Sequence, residues 1–252
     1  AGRCPVIPGV VATATHDAVA QAAQYEQLGV AGVVAIRQPG LPTSPEGVES
    51  FYRDIAAAVS VPVVLYTNPG LLGVDLSIAT IRRLADVANI TAIKDASGNT
   101  GRILSVLTRT DLDVFSASAH IPAVVMRLGG VGWMGGPASA VPAASVLLYD
   151  LCRAGQWNDA FALQRVLWPL HEVFLEHSLA AVVKHAVGRR GIDVGGPIAP
   201  QTSLPAEVGR AIDAALATID EFVDRFTVAA PPSPPPPSAR PTRPARPTRS
   251  IS

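Results

Sequence analysis

Two residues whose chemistry depends on their surroundings close two short β-branched runs. Tyr66 follows Val61-Pro62-Val63-Val64-Leu65, and Lys94 follows Ile90-Thr91-Ala92-Ile93. Residues 76–87 between them have helical character, so run, turn, helix and run read as a βαβ unit with parallel strands. Ligands bind at the carboxyl ends of such strands, which places a phenol and an amine on one face of the molecule. A lysine ammonium among apolar walls loses hydration, and its pKa falls from a free value of about 10.4. The neutral amine is a nucleophile. It attacks a ketone to give a carbinolamine and then a protonated Schiff base, an electron sink for breaking a neighbouring carbon–carbon or carbon–oxygen bond. Tyr66 is the nearest proton carrier in the chain. The pattern alone also allows a Lys94 that reaches from its strand end into solvent, and a Tyr66 that is a core aromatic with a wet hydroxyl.

Three motifs around these residues carry a resemblance. Tyr66-Thr67-Asn68-Pro69, then Gly73-Val74-Asp75-Leu76-Ser77, then Asn89-Ile90-Thr91-Ala92-Ile93-Lys94-Asp95-Ala96-Ser97-Gly98-Asn99 match in order and spacing. Together they resemble the dihydrodipicolinate synthase and N-acetylneuraminate lyase family, from about Pro5 to Glu207. The resemblance implies an α/β fold of the (β/α)8 TIM-barrel type with a carboxyl-terminal helical extension. It implies a class I lyase or hydro-lyase acting on pyruvate or a related 2-oxo acid, with Lys94 as the imine-forming nucleophile and Tyr66 as the proton shuttle. It also implies a homo-oligomer, usually a tetramer. No metal or organic cofactor is required, because the imine is itself the electron sink.

The departures from the family pattern bear on closure and on substrate. Only about six strand–helix units can be counted, whereas the family opens with two more, the second bearing a Gly-Thr-Thr/Ser-Gly-Glu loop that holds the 2-oxo acid carboxylate. The barrel is therefore expected to be amino-terminally truncated, either as part of a longer enzyme or as a protein that another chain closes, with strand edges open at residues 6–11 and 131–134. The tyrosine that dihydrodipicolinate synthases place after the fourth strand has no counterpart in Gln38-Pro39-Gly40-Leu41. Their arginine after Tyr-x-x-Pro is replaced by Leu71 and Leu72, which cannot grip a carboxylate. Both changes argue against aspartate semialdehyde as second substrate. A competing expectation is a non-catalytic barrel remnant that binds or scaffolds.

The elements that must position Tyr66 and Lys94 alternate along the first part of the chain. Residues 4–11 read as a buried strand, residues 13–17 as capping for a helix that Gly29 stops, and 30–36 as the next strand. After a Pro/Gly loop, residues 46–59 are amphipathic, with Val48, Phe51, Ile55 and Ala58 on one face. Beyond Lys94, Asn99 is expected to cap a helix, residues 113–119 to form a strand, 121–128 a helix, and 131–136 a last strand. From 141 to 190 the pattern is helical without strands, and a final helix is expected over 213–226. These readings divide the chain into a partial barrel over 1–140, a helical extension over 141–227 and a disordered Pro/Arg-rich tail over 228–252.

Other residues invite functional readings. The glycine-rich stretch 129–136 lacks the Lys-Ser/Thr of a phosphate loop. It is read instead as close backbone approach around Lys94, with Gly132 and Met134 beside the substrate and Met134 in the apolar wall of the lysine. Ser97 and Asn99 could meet a substrate hydroxyl or serve only as turn and cap. Lys184 and His185 are expected to be a surface cation and a partly buried imidazole. Cys4 and Cys152 stand far apart with no metal-ligand spacing, so neither a zinc site nor a disulfide framework is indicated. Lys plus Arg equals Asp plus Glu at 20 each, so no global field draws the chain to nucleic acid or an anionic membrane. With no long apolar run and no signal-like start, a neutral soluble protein of the reducing cytoplasm is the expectation.

Overall fold

The computed structural model describes residues 4–40, 42–72, 76–117 and 121–228. Six strands lie in one sheet in the order of the sequence, every neighbouring pair parallel: β1 (Gly9–Ala12), β2 (Val33–Arg37), β3 (Val63–Thr67), β4 (Ile90–Asp95), β5 (Asp113–Ser116) and β6 (Gly132–Trp133). Helices make every crossover: α1 (Thr15–Gln27), α2 (Pro45–Ala58), α3 (Pro69–Leu72) with α4 (Ile78–Leu84), α5 (Thr100–Arg109) and α6 (Pro122–Leu128). Sequential parallel strands with a helix in each crossover are the winding of a (β/α) barrel. Among the described residues, β1 and β6 pair with a strand on one side only.

The two faces of the sheet differ in the way this winding requires. Val10, Ala35, Leu65, Ile93 and Val114 alternate onto the helix-covered face and pack with Ala18, Phe51, Ile55, Ile81, Leu84 and Ile103 in one buried core. Local chemistry fixes where the covering helices begin. Ser44, Ser77 and Asn99 each accept a backbone amide from the first turn of α2, α4 and α5, satisfying a donor that the helix leaves unpaired.

A second core lies among the helices that follow β6 and a short 3-10 turn, Gly136–Ser139. In α7 (Pro142–Arg153), α8 (Trp157–Glu176), α9 (Leu179–Arg189) and α10 (Ala206–Val228), Leu148, Leu151, Leu163, Leu170, Ile212 and Ile219 are buried against one another. This is the expected helical extension. Lys184 donates to the Val194 carbonyl at 2.6 Å, and half-buried His185 pairs with Asp213 at 2.9 Å, tying α9 to α10. None of the helices among the described residues is long and apolar enough to cross a membrane.

Several sequence expectations shift in register or extent. The first strand is Gly9–Ala12 rather than the whole of 4–11, because Pro5 and Pro8 have no amide hydrogen to pair. It is buried on alternate residues only, and Val11 is 48% exposed. Helix α1 starts from Ala14 with no side-chain cap, so the polar residues at 13–17 do not serve that purpose. Residues 69–72, expected as turn, form α3 with Pro69 at its opening, where a missing amide costs nothing. The last strand shortens to two residues, and the final helix begins seven residues early at Ala206. The Gly73-Val74-Asp75 part of the second motif, Leu41, Ser118, Ala119 and the tail from residue 229 lie outside the described residues.

Candidate active site

Tyr66 and Lys94 are directly opposite one another in the pairing of β3 with β4. An irregularity produces that register. Val63 pairs with Ile90 but Val64 with Ala92, so Thr91 is the extra residue of a bulge. Without the shift, Ile93 would stand opposite Tyr66, and Lys94 would point to the other face. With it, Tyr66, Lys94, Phe115 and Gly132 form one row across four strands, on the face away from α1–α6.

The lysine Nζ lies over the tyrosine ring, 3.9 Å from its centroid. Burial lowers the lysine pKa from its usual value, since the ammonium loses hydration it would have in water. The ring face attracts a cation and opposes that shift, by about 0.5–1 kcal/mol at exposed sites. The tyrosine hydroxyl oxygen accepts from Asn68 Nδ2 at 3.3 Å, and the tyrosine carbonyl accepts from the Tyr52 hydroxyl at 3.1 Å. Tyr52 reaches this point from α2 and is fully buried, which pushes its hydroxyl well above the ordinary phenol range and keeps it a donor.

On the opposite face, the residue after the lysine anchors the strand end. Asp95 is 1% exposed and accepts the Arg102 Nε at 2.8 Å, the Ser97 amide at 2.8 Å and the Ser97 hydroxyl. Arg102 also donates to the Leu76 carbonyl at 2.7 Å, linking the start of α5 to the approach of α4. The Ser97 hydroxyl in turn accepts the Asn99 amide at 3.1 Å, and Asn99 caps α5 through the Arg102 amide. The side chains of Ser97 and Asn99 are thus engaged in the turn behind Lys94.

The glycine-rich stretch divides its duties. Gly129 takes a left-handed conformation, φ 113°, to end α6. A side chain at Gly130 would fall 2.6 Å from Val125 Cγ1 and 3.0 Å from the Val114 carbonyl, so the close approach there is to α6 and β5 rather than to Lys94. Gly132 sits beside Phe115 and Tyr149, and Met134 follows β6 with its amide bonded to the Ser116 carbonyl at 2.8 Å. A groove of about 580 Å³ runs past Phe115, Gly132, Trp133, Val146 and Tyr149, starting one strand from Lys94. Among the described residues, no three His, Cys, Asp or Glu side chains cluster closely enough to hold a metal ion.

Asn68, Tyr52 and Arg102 make contacts in this arrangement that the sequence does not announce. Asn68 had a signal, since it stands inside the Tyr-x-x-Pro motif. The buried Asp95–Arg102 pair had only a spacing of seven residues, which has no meaning until the strand-to-helix turn is known.

A sequentially wound parallel (β/α) sheet with a desolvated lysine and a tyrosine in contact at adjacent strand ends is an arrangement that suits Schiff-base chemistry. The dihydrodipicolinate synthetase family model matches residues 1–219. The 4-hydroxy-tetrahydrodipicolinate synthase 1 of Halalkalibacterium halodurans is 30% identical over 85% of this chain and 74% of its own length. The synthase of Halorhodospira halophila is 34% identical over 84% of this chain and 71% of its own. The crystal structure of the chloride-inhibited dihydrodipicolinate synthase from Acinetobacter baumannii, complexed with pyruvate, superposes with a TM-score of 0.81 at 28% identity, over 87% of this chain and 76% of that one. The chain belongs to the dihydrodipicolinate synthetase family.

Proposed function

We propose that this protein forms a Schiff base between Lys94 and pyruvate or a related 2-oxo acid, and uses the resulting enamine in a carbon–carbon or carbon–oxygen lyase reaction. The observation that carries the reading is the contact of a desolvated lysine amine with the Tyr66 ring at the carboxyl end of adjacent strands. In this reaction the neutral Nζ attacks the ketone carbon, and the carbonyl oxygen takes up protons and leaves as water. The iminium withdraws electrons from the neighbouring carbon, whose proton departs to give an enamine. Tyr66 delivers a proton to the departing oxygen and accepts one from the substrate carbon. Asp95, Arg102 and Ser97 hold the strand end so that the amine faces the row shared with Tyr66.

The second substrate is proposed to differ from aspartate semialdehyde, because Leu71 and Leu72 replace a carboxylate-binding arginine and Gln38-Pro39-Gly40-Leu41 holds no tyrosine. Gly132 and Met134 are proposed to border the substrate, while the Ser97 hydroxyl, donating to Asp95 and accepting from the Asn99 amide, serves the turn behind Lys94. A homo-oligomer in the cytoplasm completes the reading, by analogy with the family. The test is exchange of the pyruvate methyl hydrogens for deuterium in heavy water, followed by proton NMR. Enamine formation requires exchange by the wild-type chain and its loss in Lys94→Ala. A folded wild-type protein that exchanges no faster than Lys94→Ala would contradict the proposal and favour a binding or scaffolding remnant. A panel of other 2-oxo acids in the same assay then defines the donor.

A further inference from the structure

The oxygen through which Tyr66 would move protons has a partner two residues along its own chain. Asn68 follows the end of β3, is half-buried, and donates from Nδ2 to the Tyr66 oxygen at 3.3 Å. A side-chain NH₂ is a donor only, so the phenol oxygen accepts in this bond and its single hydrogen lies elsewhere. The Tyr52 hydroxyl holds the Tyr66 carbonyl from the other side, at 3.1 Å. The ring is therefore fixed at its backbone by one residue and at its oxygen by another.

We infer that Asn68 is a positioning residue for proton transfer by Tyr66, directing the phenol hydrogen away from the α3 side and sustaining the oxygen once that hydrogen has been given up. The inference rests on the Schiff-base reading above. In the step concerned, the carbinolamine C–O bond breaks, its electron pair leaves with the oxygen, and the Tyr66 proton goes to that oxygen to form water. The phenolate keeps the Asn68 amide hydrogen as partner, then takes the proton from the substrate carbon as the enamine forms. Both protons are accounted for. Hydrogen bonds to an ionised oxygen are stronger than those to a neutral one, so the Asn68 bond tightens at the moment it is needed.

The experiment uses the same deuterium exchange of pyruvate, with wild type, Asn68→Ala, Asn68→Asp, Tyr66→Phe and Tyr66→Phe/Asn68→Ala. Asn68→Asp keeps the shape but places an acceptor where the donor stood, so it serves if the alanine variant folds poorly. Removing a donor to a charged oxygen should slow exchange about tenfold to a hundredfold at saturating pyruvate. The KM for pyruvate should stay within about twofold, since the bond acts on a transition state rather than on binding. In the Tyr66→Phe background, removal of Asn68 should cost nothing further, because the oxygen it serves is gone. Equal losses in both backgrounds would show a merely structural role and overturn the inference, as would wild-type exchange in both Asn68 variants. Absence of exchange in the wild type would instead overturn the Schiff-base reading, and this inference with it.

Discussion

Replacing Arg102 by methionine isolates the ion pair that anchors the lysine-bearing strand. The Arg102 Nε and Asp95 Oδ2 are 2.8 Å apart, with side chains 11% and 1% exposed, so water screens the pair poorly. Unit charges about 4 Å apart attract by roughly 4 kcal/mol at an effective dielectric of about 20. Arg102→Met removes that attraction and leaves the Asp95 carboxylate buried with its Ser97 contacts alone, a situation that costs about 3–5 kcal/mol. At roughly 2–4 °C per kcal/mol for a chain of this size, thermal unfolding should shift down by roughly 6–20 °C. Asp95→Asn keeps an acceptor for the Ser97 amide and should cost less, about 1–3 kcal/mol. In the double variant neither charge is stranded, so the combined loss should fall short of the sum by about 0.5–3 kcal/mol. Circular dichroism melts of the four proteins measure all of these. A shift below about 2 °C for Arg102→Met, or strict additivity in the double variant, would refute the assignment of Asp95 as a buried charge that Arg102 compensates.

Lys94→Met should stabilise the fold at neutral pH, and the gain should shrink as the pH rises. Burial lowers the folded-state pKa of Lys94, so below that value both states carry the charge and the folded protein bears the whole desolvation cost. As the pH climbs from the depressed value toward the unfolded one, about 10.4, the folded amine is already neutral and the cost declines. Melting both proteins across this window checks it, and a gap independent of pH would contradict it. Two glycines make an opposed pair. Gly130→Ala would press a methyl to 2.6 Å from Val125 Cγ1 and should destabilise by about 1–3 kcal/mol. Gly188→Ala, inside α9 with nothing within 4 Å, should stabilise by about 0.4–1 kcal/mol. Parallel melts give both signs; stabilisation by Gly130→Ala would contradict the tight packing there, and destabilisation by Gly188→Ala the open space around that residue.

The alternation of apolar runs and amphipathic segments made the six strand–helix units legible, because burial of one sheet face dictates it residue by residue. Tyr66 and Lys94 stood out for a related reason, as polar groups at the ends of runs that are otherwise uncharged. That they share one face was legible too, but the register that sets them directly opposite one another was not. It depends on the bulge at Thr91, and β-branched Thr91 looks like any other strand residue until the pairing of β3 with β4 is known. The first strand is shorter than apolar Val6 and Ile7 suggest, because the prolines beside them prevent a continuous ladder and both side chains are exposed. The anchoring role of Asp95 was hidden for the same reason as the bulge: a carboxylate after a strand reads as solvated, and only the turn through Ser97 and Asn99 brings Arg102 onto it.

The most direct measurement is borohydride reduction of the protein mixed with pyruvate, followed by peptide mass mapping. One reduced pyruvate adduct per chain is expected, on the peptide containing Lys94, and none in Lys94→Ala. Adduct formation should slow in Tyr66→Phe without moving to another residue. An adduct on a different lysine, or a folded wild-type protein that gains none, would rule out Lys94 as the imine-forming residue.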